Sequence, residues 1–243
     1  FTVMNEDGDV VRRIKAPAKK GMNRIVWDFR YSPFGPVDLS QFDESFVFSS
    51  QEVGYMALPG NYKVSLSKFE DGHYSELVAT VPFKTAALNN ATLPATDKKA
   101  LEEFSKKVGE LRRVSVATDE YRKELLNKIK YIKQAIFETP KLSTALTKTI
   151  NNQEKRLTDV NTKLNGDATT ARREFETLPS INGRIGSIAG ALWSTTAAPT
   201  TTFINSLSVA EKQFTPVYNE IKAIGIAINK VELELEKNKA PYT

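Results

Sequence analysis

Apolar positions in the last forty residues follow one rule. Phe203, Leu207, Ala210, Phe214, Val217, Ile221, Ile224, Ile228, Val231 and Leu235 recur at alternating spacings of four and three. That heptad pattern predicts a long helix with one narrow apolar stripe. Pro216 lies inside it and is expected to bend it by removing one backbone hydrogen bond. A first long helix is predicted over about Asp97–Phe137, with Thr96 or Asp97 as its cap. Its stripe runs Leu101, Phe104, Val108, Leu111, Val114, then Tyr121, Leu125, Ile129, Ile132 and Ile136. The stripe weakens at Ser115–Thr118, where a kink or break is expected. Between the two, Leu142, Leu146, Ile150, Gln153, Leu157, Val160 and Leu164 predict a helix over about Lys141–Leu164 that stops at Asn165-Gly166. A short helix is expected around Ala171–Phe175. Another should run from Pro179-Ser180 to about Trp193, with Ile181, Ile185, Ile188, Ala189 and Leu192 on one face. Gly183, Gly186 and Gly190 on that helix are expected to let a neighbouring helix approach closely. These stripes predict two antiparallel long helices with the shorter two alongside.

The first 85 residues carry a period of two instead. Phe1–Asn5 and Val10–Ile14 flank Glu6-Asp7-Gly8-Asp9. Tyr62, Val64 and Leu66 alternate with polar residues, and Asp71-Gly72 separates that run from His73–Phe83. Asp-Gly between apolar runs is a hairpin signal. Met22–Phe29 also alternates, so Ile25, Trp27 and Phe29 are expected to face a core. The expected fold class is α+β and multi-domain. Residues 1–88 form an Ig-like β-sandwich, 89–96 a linker, and 97–243 an antiparallel bundle of three to four helices. The sandwich core is thin, and Phe1–Met4 reads as a strand already under way. The chain is therefore expected to be a fragment whose sandwich lacks an upstream strand. Ser32–Ser50 breaks the pattern with Phe34, Phe42, Phe46 and Phe48. It reads as a loop over the sandwich edge or as a partner-docking surface.

Charge changes this picture little. The net charge is +5, of which residues 96–243 hold +6 and residues 1–95 hold −1. Acids are mixed among the bases, as in Lys98-Lys99 before Glu102-Glu103. That argues for a solvated helical surface and against nucleic-acid binding. No run is long and apolar enough to span a membrane, and the N-terminus lacks the pattern of a signal peptide. There is no cysteine and one histidine, so thiolate metal sites and a cysteine nucleophile are excluded.

Three segments carry a resemblance. They are Asn5-Glu6-Asp7-Gly8-Asp9-Val10-Val11-Arg12, Gly21-Met22-Asn23-Arg24-Ile25-Val26-Trp27-Asp28-Phe29-Arg30 and Leu58-Pro59-Gly60-Asn61-Tyr62-Lys63-Val64-Ser65-Leu66. In this order they resemble the FlgD-type Ig-like module. The W-D-x-R form is similar to the module that follows the β-propeller in bacterial sortilin-like, BNR-repeat glycosyl hydrolase-like secreted proteins, which carry a helical C-terminal region. The resemblance covers residues 1–85. It implies a secreted, cell-surface or periplasmic bacterial protein whose partner is an upstream propeller or another protein. It transfers no catalytic carboxylate to any position here. The matched residues have structural roles available: turns for Gly8 and Gly60, core for Trp27 and Tyr62, and pairing with neighbouring strands for Asp28 and Arg30.

No motif for nucleotide binding or for a serine nucleophile occurs. His73 is expected at a hairpin tip. Glu6-Asp7-Gly8-Asp9 and Glu70-Asp71-Gly72 are candidate calcium loops, but both are short and sit where hairpin turns are expected. Asp28 beside Trp27 is the most conspicuous acid and reads as structural. Arg184, on an apolar helix, is expected to pair with an acid of a neighbouring helix. The sequence assigns no catalytic, cofactor-binding or metal-binding residue. It points to a non-catalytic accessory, interaction or spacer region. The alternatives are the C-terminal part of a propeller hydrolase-like enzyme with its catalytic residues upstream, and a standalone helical oligomerisation or adhesion module.

Overall fold

A computed structural model describes residues 1–35, 53–88, 92–139 and 144–243. The chain is mixed α+β and forms two compact units. One holds Phe1–Glu110 with Ala189–Thr200; the other holds Leu111–Ile188 with Thr201–Thr243. The first unit thus includes early turns of a helix and the 189–200 segment as well as the strand region.

Among the described residues four strands form one antiparallel sheet: β1 (Thr2–Met4), β2 (Val10–Arg13), β3 (Asn61–Glu70) and β4 (His73–Lys84), in the order β2-β1-β3-β4. The β1–β2 turn closes on Asn5, whose side-chain oxygen accepts the Asp9 N–H at 2.7 Å. Gly8 takes φ 91° there, in the left-handed region open to glycine. The β3–β4 hairpin turns on Asp71-Gly72, both at positive φ (49° and 80°), with Glu70 opposite His73. Two positive-φ residues between paired strands match the right-handed strand twist, as the Asp-Gly signal predicts. β4 carries two irregularities against β3, between Val64 and Leu66 and between Leu66 and Ser67.

A second sheet does not form among the described residues, and Met22–Phe29 is not a strand. The next residue, Arg30, makes an isolated bridge to Met56. The cause is local. Phe29 takes φ 56°, so its backbone leaves the extended region, and its side chain is 52% exposed rather than in the core. Val3, Val11 and Tyr62 form the buried core, with Trp27, Tyr31, Val64 and Phe83 packed on it.

Among the described residues five helices follow: α1 (Lys98–Glu138), α2 (Thr144–Asn165), α3 (Ala168–Ala171), α4 (Ile181–Leu192) and α5 (Thr201–Lys237). Asp97 caps α1 through a 2.9 Å bond to the Ala100 N–H. Gly166, at φ 85°, ends α2. α5 continues through Pro216, which is exposed.

The second unit's core joins Leu125, Ile129 and Ile132 of α1, Ile150, Leu157 and Leu164 of α2, Ile181 and Ile185 of α4, and the α5 stripe from Ala210 to Leu235. Its helix directions differ from expectation. The Tyr121 hydroxyl abuts Gly225, while Lys128 reaches Asn229 and Glu232 further along. α1 and α5 therefore run the same way. α2 opposes α1, since Lys133 pairs with Glu154 while Asn165 reaches back to Asp119. A reversal into α2 and another before α5 leave the first and last rods parallel.

The expected break at Ser115–Thr118 is instead a buried polar layer within an unbroken helix. Ser115 donates to Asn182 Oδ1 at 2.5 Å and Asn182 to Asn165 Oδ1 at 2.8 Å. Asn165 donates to Asp119 at 3.0 Å, and Arg122 Nε reaches Asp119 at 2.7 Å. These bonds tie α1, α2 and α4 together and satisfy groups that would be costly to bury alone. Among the described residues no neighbouring helix approaches closely at Gly186 or Gly190. A Cβ on Gly186 or Gly190 would meet nothing within 4 Å.

Candidate functional site

The site lies in the first unit and begins with Trp27-Asp28-Phe29-Arg30. The Trp27 indole N–H donates to the Arg30 carbonyl at 3.0 Å. The Arg30 N–H donates to Asp28 Oδ1 at 3.1 Å. The carbonyl of Phe29 accepts the Ala57 N–H at 2.8 Å. These bonds hold the turn on which Phe29 is left-handed. They also aim Arg30 outward, where Nη1 donates to the carbonyls of Gly54 (3.0 Å) and Trp193 (2.9 Å). Gly54 lies so close to the Tyr31 and Ser32 carbonyls that a Cβ would collide with backbone.

This bracket sets a chain of aromatic rings. Tyr31 stacks on Tyr55 with centroids 4.3 Å apart, and Tyr55 meets Trp193 edge-on at 6.1 Å. Trp27 lies edge-on to Tyr62 at 5.3 Å and to Phe83 at 6.0 Å. Such tilted contacts suit the ring quadrupoles. Between the sheet and the first turns of α1 the rings border a cavity of about 780 Å3. Trp27, Phe29, Tyr55, Met56, Val64 and Phe83 are among the apolar side chains lining it. That size is typical of ligand-binding clefts.

One carboxylate belongs to the interior. Glu102 lines the cavity with its side chain 17% exposed. Tyr31 donates its hydroxyl to Glu102 Oε1 at 2.8 Å. Lys106 stands 3.5 Å from the same oxygen, and its own side chain is half exposed. Among the described residues Oε2 accepts no hydrogen bond. Burial and then the Glu102 charge push the Tyr62 phenol up to about 12. Burial foremost, followed by its bond to Glu102, pushes Tyr31 well above the usual phenol range. Burial and Glu102 raise Tyr55 as well. The three phenols therefore stay neutral donors around the carboxylate at any ordinary pH.

The residues singled out from sequence fall elsewhere or take other roles. His73 is exposed opposite Glu70 at the β3–β4 hairpin. Asp9 is used within its turn, Glu70 pairs with Lys68 at 2.7 Å, and Asp28 holds the Arg30 N–H. Arg184 does not make the expected ion pair among the described residues. Its Nε is buried without a hydrogen-bond partner. Phe34 of the aromatic segment packs on Tyr55 and Trp193, whereas Phe42, Phe46 and Phe48 lie outside the described residues. Among the described residues no three His, Cys, Asp or Glu side chains group as metal ligands.

Sequence reasoning missed Glu102, Tyr31 and Tyr55. Glu102 sits one position after Leu101 in the α1 stripe, and a helix face widened by one residue would have included it. Comparison with family models, curated proteins and solved structures finds no match to this chain.

Proposed function

We propose that this chain is a non-catalytic interaction and spacer region of a larger secreted bacterial protein. The first unit is an Ig-like module of the FlgD type that receives a neighbouring polypeptide. The second is a helical bundle that serves as a rod. The neighbour is an upstream β-propeller domain or a separate protein.

The observation that carries this reading is the aromatic cavity beside the sheet. It is lined mainly by large apolar side chains, and some of them, such as Phe29 (52% exposed) and Leu88 (87%), face solvent. Apolar surface grouped in this way gains most from being covered. The Trp27–Arg30 bracket supports the reading, because it spends the W-D-x-R residues on shaping the cavity wall.

Hydrogen exchange tests it. In the gene-encoded protein, amides of residues 25–29, 55–58 and 83–88 should exchange at least about tenfold more slowly than in residues 1–243 alone, the shift given by ~1.4 kcal/mol of added protection. Equal rates in the two would contradict it.

A further inference from the structure

The charge inside the cavity narrows what can occupy it. Resting on the interaction reading above, we infer that the segment received there carries a lysine or arginine whose cationic head meets Glu102, with apolar residues on either side.

Three features lead to this partner. First, among the described residues Glu102 is the one charged side chain held mostly inside the cavity wall; Lys84 and Lys98, which also line it, are exposed. Exposed lysines lie their stems along apolar surface and keep their charge in water. Second, the carboxylate is incompletely used. Oε1 takes the Tyr31 bond and the 3.5 Å approach of Lys106, while Oε2 accepts none among the described residues. A carboxylate has room for about four donors, and an apolar occupant without a donor would leave Oε2 buried and unsatisfied, which is costly for a charged group. Third, Trp27, Tyr55 and Phe83 are among the lining side chains, and the face of such a ring attracts a cation. An acidic segment would place like charges together. A single basic side chain leaves most of the 780 Å3 vacant, so its neighbours must supply apolar bulk.

Calorimetry with three capped peptides tests the idea: acetyl-Val-Leu-X-Leu-Thr-amide, with X as lysine, norleucine or glutamate. The lysine peptide should bind residues 1–243 at least about tenfold more tightly than the norleucine peptide. The difference should shrink between low and high salt, and Glu102→Gln, which still accepts from Tyr31, should abolish it. Should that variant lose its thermal transition, the salt dependence in the unaltered chain decides. Equal binding of the lysine and norleucine peptides would overturn this inference and leave the apolar docking reading standing. Preference for glutamate would overturn it as well. Binding by none of the three would count against both.

Discussion

The phenol of Tyr31 donates to Glu102 Oε1 across 2.8 Å, joining the segment after the Trp27–Arg30 turn to the second turn of α1. It is the one hydrogen bond that the Glu102 carboxylate receives from a described residue. Removing it with Tyr31→Phe leaves a largely buried carboxylate less satisfied. Hydrogen bonds to charged groups contribute about 1.5–3 kcal/mol. The variant should lose a similar amount in denaturant unfolding; an unchanged midpoint and slope would remove the bond from the account.

Alkaline pH should act through the same cluster. The Tyr62 phenol is raised to about 12 in the folded chain, while an unfolded tyrosine titrates near 10. A group raised on folding contributes stability that is complete below about 10 and is lost as pH climbs toward 12. Unfolding free energy should therefore fall from pH 10 upward. Tyr62→Phe should flatten that fall, at the cost of the hydroxyl's 2.6 Å bond to the Leu58 carbonyl. A fall as steep in the variant would assign the effect elsewhere.

Gly109 is a tight point of the first unit. A Cβ there would stand 2.5–2.8 Å from Phe34 ring atoms. Alanine normally favours a helix over glycine by about 1 kcal/mol, but overpacking costs about 1–3 kcal/mol. Gly109→Ala should destabilise on balance, and adding Phe34→Leu should recover much of the loss. A stabilised single variant would mean that the ring is free to move aside.

Asp119 anchors the polar layer of the helical unit. Burial pushes its carboxyl up, yet the bonds from Arg122 and Asn165, with the charges of Arg122 and Lys123, outweigh burial and hold it below the usual carboxylate range. A group lowered on folding contributes stability above its unfolded value that is lost as pH falls through the folded one. Acid should therefore weaken the protein below about pH 4, and Asp119→Asn should remove that part of the dependence. Asp119→Ala strands the buried Arg122 guanidinium and should cost about 3–5 kcal/mol at neutral pH.

β4 is an edge strand of twelve residues with Tyr74, Leu77, Val78 and Val81 exposed. Such an edge invites pairing with another chain. Pro82, opposite Lys63, offers no N–H, and the two irregularities against β3 distort the strand. Pro82→Thr restores a donor on the edge. The variant should self-associate at lower concentration in light scattering, and an unchanged mass would show that the bulges alone protect it.

Much of this architecture can be read from spacing alone. The α5 stripe places Leu207 through Leu235 correctly, and Gln153 is buried in the α2 seam as its position requires. Periodicity reports which face is buried; it does not report direction, so the parallel course of α1 and α5 was not legible. Nor was the layer at Ser115, Asp119 and Arg122, since polar residues on a stripe look like a defect until partners from other helices appear. Met22–Phe29 failed for another reason. Its alternation is real, but a strand needs a ladder, and the left-handed Phe29 turns the chain away. Glu102, one position after Leu101, gave only a weak signal because acids are common on helix surfaces. Only the neighbouring tyrosines, distant in sequence, make it distinctive.

Trp27 offers the most direct reading of the central claim that the cavity is covered by another polypeptide. With Trp193→Phe in place, Trp27 is the sole remaining tryptophan of residues 1–243. Its emission and acrylamide quenching can be compared between this chain alone and the gene-encoded protein, with any added tryptophans replaced. The account predicts a blue shift and markedly weaker quenching in the longer protein. The same spectrum and quenching in both would contradict it.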